Sequence, residues 1–132
     1  MTSRFTELVI DVVDGRDLKK LAEFWCQVLD WRVLDEEPNI IEIGAAPLTA
    51  EEARSGQVVP TIVFLVVPED KTVKNRVHID VSPVDRTQDE EVARLEALGA
   101  RRVDIGQGEQ NWVVMADPEG NEFCVLRSLH TA

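Results

Sequence analysis

Apolar and polar residues alternate in short runs along most of this chain, and two stretches break the alternation with helical spacing. Leu18, Leu21, Ala22, Trp25, Val28 and Leu29 recur every three or four positions, which predicts an amphipathic helix with Asp14 or Asp17 as its cap. Val92, Leu95 and Leu98 form a narrower stripe, and Gly99 stands where that second helix would end. A run of strand-forming residues precedes each helix, Leu8–Val12 in one case and Val77–Ser82 in the other. Three more runs follow each. They are Trp31–Asp35, Ile40–Gly44 and Thr61–Val67 in the first half, and Arg101–Ile105, Trp112–Ala116 and Glu122–Arg127 in the second. Asp117-Pro118-Glu119-Gly120 reads as a type I turn, with proline second and glycine fourth. Pro47 to Val59 is a surface excursion, and Thr49 and Glu52 have capping-box spacing for a short helix. The predicted order is β-α-β-β-β, twice, in an α+β chain.

The halves also repeat in sequence. Sliding the chain by 69 residues superposes LVIDV (Leu8–Val12) on VHIDV (Val77–Val81). Leu29 then meets Leu98, Arg32 meets Arg101 and Asp35 meets Asp104. No stretch is flexible or Gly/Ser-rich enough for a linker, so one domain over 1–132 is expected, with modules at about 5–68 and 75–128.

The segments LAEFWCQVLDW, NRVHIDV followed by EEVARLEALGA, and WVVMADPEGNEFCVL resemble the glyoxalase/bleomycin-resistance (vicinal oxygen chelate) superfamily, in particular its glyoxalase-like proteins. The likeness runs from about Glu7 to Arg127. It implies two βαβββ modules forming a cupped mixed sheet with helices outside, a small-molecule ligand in the cup, and a homodimer.

Strand alternation sorts the faces. Val77, Ile79 and Val81 suit packing under a helix, which turns His78, Asp80 and Ser82 into the cup. By the offset, Leu8, Ile10 and Val12 pack outward while Val9, Asp11 and Val13 face inward. In the last strand Phe123 and Val125 fit the helix side, leaving Glu122, Cys124 and Leu126 for the cup. The candidate ligand-binding residues are therefore Asp11, His78, Asp80, Trp112, Glu122 and Cys124. Trp112 joins them because the polar, glycine-bearing GQGEQN segment before it places it near a loop, whereas Trp25 and Trp31 read as core. Each candidate also has a purely structural reading. His78 is either a hydrogen-bonded strand residue or a ligand or base. The aspartates either cap loops, pair with Arg76 or Arg102, or meet a ligand. Cys124 is either a small inert core residue or a reactive one.

Composition narrows the partners. With 14 Lys and Arg against 25 Asp and Glu, the net charge is −11. That repels phosphate backbones and anionic lipids, so neither nucleic acid nor membrane is an expected partner. A cationic or neutral ligand meets no such barrier. MTSRFTELVI lacks the pattern of a secretory signal, and Cys26 and Cys124 have no CxxC spacing, so a cytoplasmic, disulfide-free protein is expected.

The resemblance also raises a metal. Metal-dependent members of the superfamily use four His, Gln or Glu ligands at corresponding strand positions. His78 stands at one, but Val9 or Ile10 occupies its partner, Thr61–Val67 carries no ligand, and Cys124 replaces the fourth. No metal and no cofactor is therefore expected, which argues against a metal-dependent lyase or dioxygenase. The leading expectation is an acidic, metal-free cleft binding a small organic, cationic molecule. A metal-free isomerase, epimerase or lyase is the alternative, with His78 and Asp80 as catalytic residues for proton transfer. A structural or regulatory protein with a vestigial cleft is the third.

Overall fold

In the computed structural model, which describes residues 2–13, 17–54, 56 and 58–129, eleven elements follow one another along the chain. They are β1 (Glu7–Val13), α1 (Leu18–Leu29), β2 (Arg32–Glu37), β3 (Ile40–Gly44), α2 (Ala50–Arg54) and β4 (Thr61–Val67), then β5 (Ile79–Val81), α3 (Gln88–Leu98), β6 (Arg101–Arg102), β7 (Val113–Ala116) and β8 (Glu122–Val125). Contacts divide the chain into two units, Met1–Asp70 and Lys71–Ala132. Each unit has the β-α-β-β-β order, with α2 as an insertion in the first. Among the described residues, no helix is long and apolar enough to cross a membrane.

Both units fold the same way. The sheet order is β1-β4-β3-β2 in the first and β5-β8-β7-β6 in the second. The first strand of each runs parallel to the last, and the remaining pairs are antiparallel. Asp11 lies opposite Leu65 on β4, and Asp80 lies opposite Cys124 on β8. Residues 11 and 80 are the pair related by the offset in the sequence.

α1 packs its apolar stripe on β3 and β4 and buries Leu18, Leu21, Ala22 and Trp25. Phe24, outside the expected stripe, is buried too and meets Trp25 edge to face at 5.3 Å. Val28, Leu29 and Trp31 are only half-buried. Asp17 takes the N-cap position but its side chain makes no capping bond, and Asp14 lies outside the described residues. The expected Thr49–Glu52 box does form on α2, with both reciprocal bonds at 3.1 Å.

α3 carries a capping box that the sequence reading missed. The Thr87 side chain accepts the Glu90 N–H while the Glu90 carboxylate accepts the Thr87 N–H. Val92 and Leu95 are fully buried, and Gly99 closes the helix at φ 119° with its N–H on the Leu95 and Glu96 carbonyls. Removing the hydroxyl in Thr87→Ala leaves a helix N–H without its cap. It should lower the unfolding free energy by about 1 kcal/mol in urea denaturation.

Three strands of the second unit are shorter than expected by two residues or more, for local reasons. β5 starts at Ile79, and Val77 is 71% exposed instead of packed under a helix. The chain before β5 is drawn aside by Asn75, whose backbone and side-chain N–H groups bond Glu122 and Asn121. β6 stops after two residues because Asp104 and Gln107 side chains capture the Gly106 and Ile105 N–H groups and start a turn. β8 ends at Val125, although the Leu126 N–H still bonds the Val81 carbonyl. The expected turn forms: the Gly120 N–H bonds the Asp117 carbonyl, and the buried Asp117 carboxylate accepts the Glu119 and Asn121 N–H groups.

Candidate functional site

The second unit holds a cavity of about 300 Å³. Alternation in β5 and β8 determines which side chains reach it. Phe123 and Val125 are buried with α3 packed on β8, so Glu122, Cys124 and Leu126 turn to the opposite face and line the cavity. His78 and Asp80 come to it from β5 and the residue before it. Across from them, Ile105, Trp112 and Val114 supply an apolar wall. Trp112 is 39% exposed, so an aromatic surface remains available to a ligand. The loop before it is fixed by Gln88 at the start of α3, whose amide donates to the Asn111 and Val125 carbonyls.

The polar side of the cavity is a linked network. His78 Nε2 lies 3.2 Å from Asp80 Oδ1. The Cys124 thiol donates to the same aspartate, and burial, the Asp80 charge and this hydrogen bond together push the thiol pKa up, against a smaller pull from Lys74. Cys124 is thus held as a protonated thiol at neutral pH, which removes it as a ready nucleophile. Burial and the nearby Glu23 push Cys26 the same way.

Glu122 is engaged differently. Lys71 Nζ stands 2.9 Å from its Oε2, and the Asn75 N–H donates to Oε1 at 2.9 Å. Burial alone would raise this carboxyl, but the Lys71 ammonium and the Asn75 N–H outweigh it and hold the pKa below its ordinary value. Lys74 also lines the cavity, with its ammonium on the Asn75 carbonyl. The cleft is therefore of mixed charge, and Asp80 is its accessible anion, 45% exposed.

Of the six candidate residues, five surround this cavity: His78, Asp80, Trp112, Glu122 and Cys124. Asp11 is exposed on β1 in the first unit. Asp80 pairs with His78 and not with Arg76 or Arg102, one of the alternatives the sequence left open. The second histidine of the sequence, His130, lies outside the described residues. Lys71, Lys74 and Gln107 were missed because they sit on irregular segments where alternation says nothing, and Ile105 and Val114 because no face was assigned to the strands expected over Arg101–Ile105 and Trp112–Ala116.

An α+β fold of two β-α-β-β-β units, with a small cavity on the strand face opposite a helix, defines the class of protein. The model of the glyoxalase-like domain matches residues 8–126, and the chain belongs to that family. No curated protein matches it. Among solved structures, a glyoxalase/bleomycin resistance protein/dioxygenase family enzyme from Burkholderia phytofirmans PsJN is similar at 17% identity and TM-score 0.61, over 93% of this chain and 97% of that one. A mutant fosfomycin resistance protein FosX from Listeria monocytogenes, in complex with Mn(II) and 1S,2S-dihydroxypropylphosphonic acid, gives 16% and 0.62 over 97% and 92%. The trypanothione-dependent glyoxalase I of Leishmania major gives 20% and 0.60 over 96% and 87%. At these identities the likeness establishes the fold.

The four-ligand metal site of metal-dependent relatives does not fit these residues. Two of its positions fall in the first unit, where Val9 stands on β1 and β4 reads TIVFLVV. A hard, oxygen-rich octahedral ion finds too few donors there.

Proposed function

We propose that the second unit binds a small organic molecule with an apolar body and a basic group, held by the chain's own side chains. The carrying observation is one cavity in which Trp112, Ile105, Val114 and Leu126 face an accessible carboxylate, Asp80. Its volume suits a single small molecule, not a polymer. An amine or guanidine would gain a charged hydrogen bond from Asp80 and, if placed over Trp112, a cation–π contact. The acidic character expected of the whole cleft narrows to this one group, since Glu122 is taken by Lys71 and Asn75. A ligand screen read by Trp112 fluorescence and thermal shift tests the reading. Amines should shift the melting curve where neutral isosteres do not, and a screen whose hits are all anions would overturn it.

The same reading includes a homodimer in the cytoplasm. It rests on the family fold and on two-fold dimers being the commonest oligomers. Sedimentation at tens of micromolar should give twice the 14.8 kDa chain mass, and a monomer there would refute it.

A further inference from the structure

Beyond the organic ligand, we propose that His78, Asp80 and Cys124 form a three-ligand site for a thiophilic divalent cation of the zinc class, built within the second unit alone. One donor atom from each side chain lies within 4.8 Å of the other two. The shortest contact described among them, His78 Nε2 to Asp80 Oδ1, is 3.2 Å. Zinc bonds of about 2.0–2.3 Å put neighbouring donors of a tetrahedron about 3.3–3.8 Å apart. The histidine–aspartate edge is already close to that length, and the other edges, within 4.8 Å, need to contract by about 1.5 Å at most to match. His78 and Asp80, 42% and 45% exposed, can make that adjustment by side-chain rotation while Cys124 stays buried on β8. Backbone register supports the cluster, because Asp80 is paired directly with Cys124 in the β5–β8 ladder.

The donor chemistry selects the ion. A thiolate and a carboxylate cancel a double positive charge, and a neutral imidazole completes the set. The thiol proton leaves to solvent as the metal–sulfur bond forms. Sulfur disfavours magnesium and calcium and favours zinc, cadmium or cobalt. Three protein ligands leave a fourth position for water or an added ligand, and all three residues line the cavity. By the sequence offset the first-unit counterparts of His78 and Asp80 are Val9 and Asp11, and Asp11 is paired with Leu65, so no such set forms there. Among the described residues no other group of this kind occurs. This site departs from the expectation of a metal-free cleft because that expectation found only His78 and Cys124 at the four family positions, and Asp80 is not among them. A metal and an organic cation would compete for Asp80.

The test uses the whole chain, stripped with a chelator and titrated with Co²⁺ and then Zn²⁺, with no organic ligand present. Cobalt should produce a thiolate charge-transfer band in the near ultraviolet and intense visible bands of a four-coordinate ion, both removed by about one equivalent of zinc. Cys26→Ser should keep the thiolate band and Cys124→Ser should abolish it. His78→Gln and Asp80→Asn should each weaken zinc binding by more than about tenfold with the fold retained by circular dichroism. Magnesium and calcium should not compete. If wild type develops no thiolate band, or if the band survives Cys124→Ser, the site is refuted. Weak binding unchanged in all variants would assign the ions to the acidic surface and refute it equally. Either failure leaves organic-cation binding to be judged by its own screen.

Discussion

Lys71→Met should destabilise the protein by about 2–3 kcal/mol, since it strips a nearly buried carboxylate of its counter-charge. Glu122 is 9% exposed, and its partners are the Lys71 ammonium and the Asn75 N–H. Without Lys71 the charge keeps only neutral backbone donors in a site too closed for full hydration. The Lys71 side chain is 30% exposed, so solvent recovers part of the loss, which stays below that of a fully buried pair. Glu122→Gln should cost less, because an amide oxygen still accepts from Asn75 while the charge disappears. The double variant should be more stable than Lys71→Met alone, since no orphaned charge remains. Urea denaturation of the four proteins gives the coupling directly. A neutral Lys71→Met would show that Glu122 is hydrated or protonated in place. The contact also bears on ligands, because it anchors the segment that carries Lys74 and leads to His78. Lys71→Met should therefore weaken binding in the cavity even though Lys71 does not line it.

That dependence marks the boundary between what the sequence shows and what only the fold shows. Alternation is a local property, so the division of β8 into Phe123 and Val125 against Glu122, Cys124 and Leu126 was legible from the residues. The 69-residue repeat was legible likewise, and it returns as the same strand order in both units. Pairings between segments distant in sequence were not legible. Nothing in the order of residues joins Lys71 to Glu122, or tells that Asn75 draws the chain off its strand and leaves Val77 in solvent. Lys74 and Gln107 reach the cavity from turns, where no periodicity exists to predict a direction. The His78–Asp80–Cys124 cluster lay between these cases. Each residue was assigned to the right face, but their meeting depends on the parallel register of β5 and β8, which only the folded chain supplies.

Asp80→Asn should weaken a bound amine or guanidine about tenfold to a hundredfold and leave a neutral isostere within about threefold, matching the loss of one charged hydrogen bond of about 1–3 kcal/mol. Asparagine keeps the size and one acceptor oxygen, so a change confined to the cation reports charge and not shape. Asp11→Asn serves as the comparison. If the second unit's cavity is the binding site, that variant should bind like wild type; equal losses in both would extend the site to the first unit. Salt should weaken the interaction modestly, because Asp80 is about half exposed and its field is partly screened already. Calorimetry on chelator-treated protein is the measurement, since an ion held by His78, Asp80 and Cys124 would otherwise compete for the same carboxylate. Trp112→Leu provides the second arm: it retains an apolar wall but removes the aromatic face, and should cost a cation about 0.5–2 kcal/mol. A cation that binds wild type and Asp80→Asn alike would remove the carboxylate from recognition. Its bond to His78 would then serve the strand, and the net charge of −11 would matter for solubility alone.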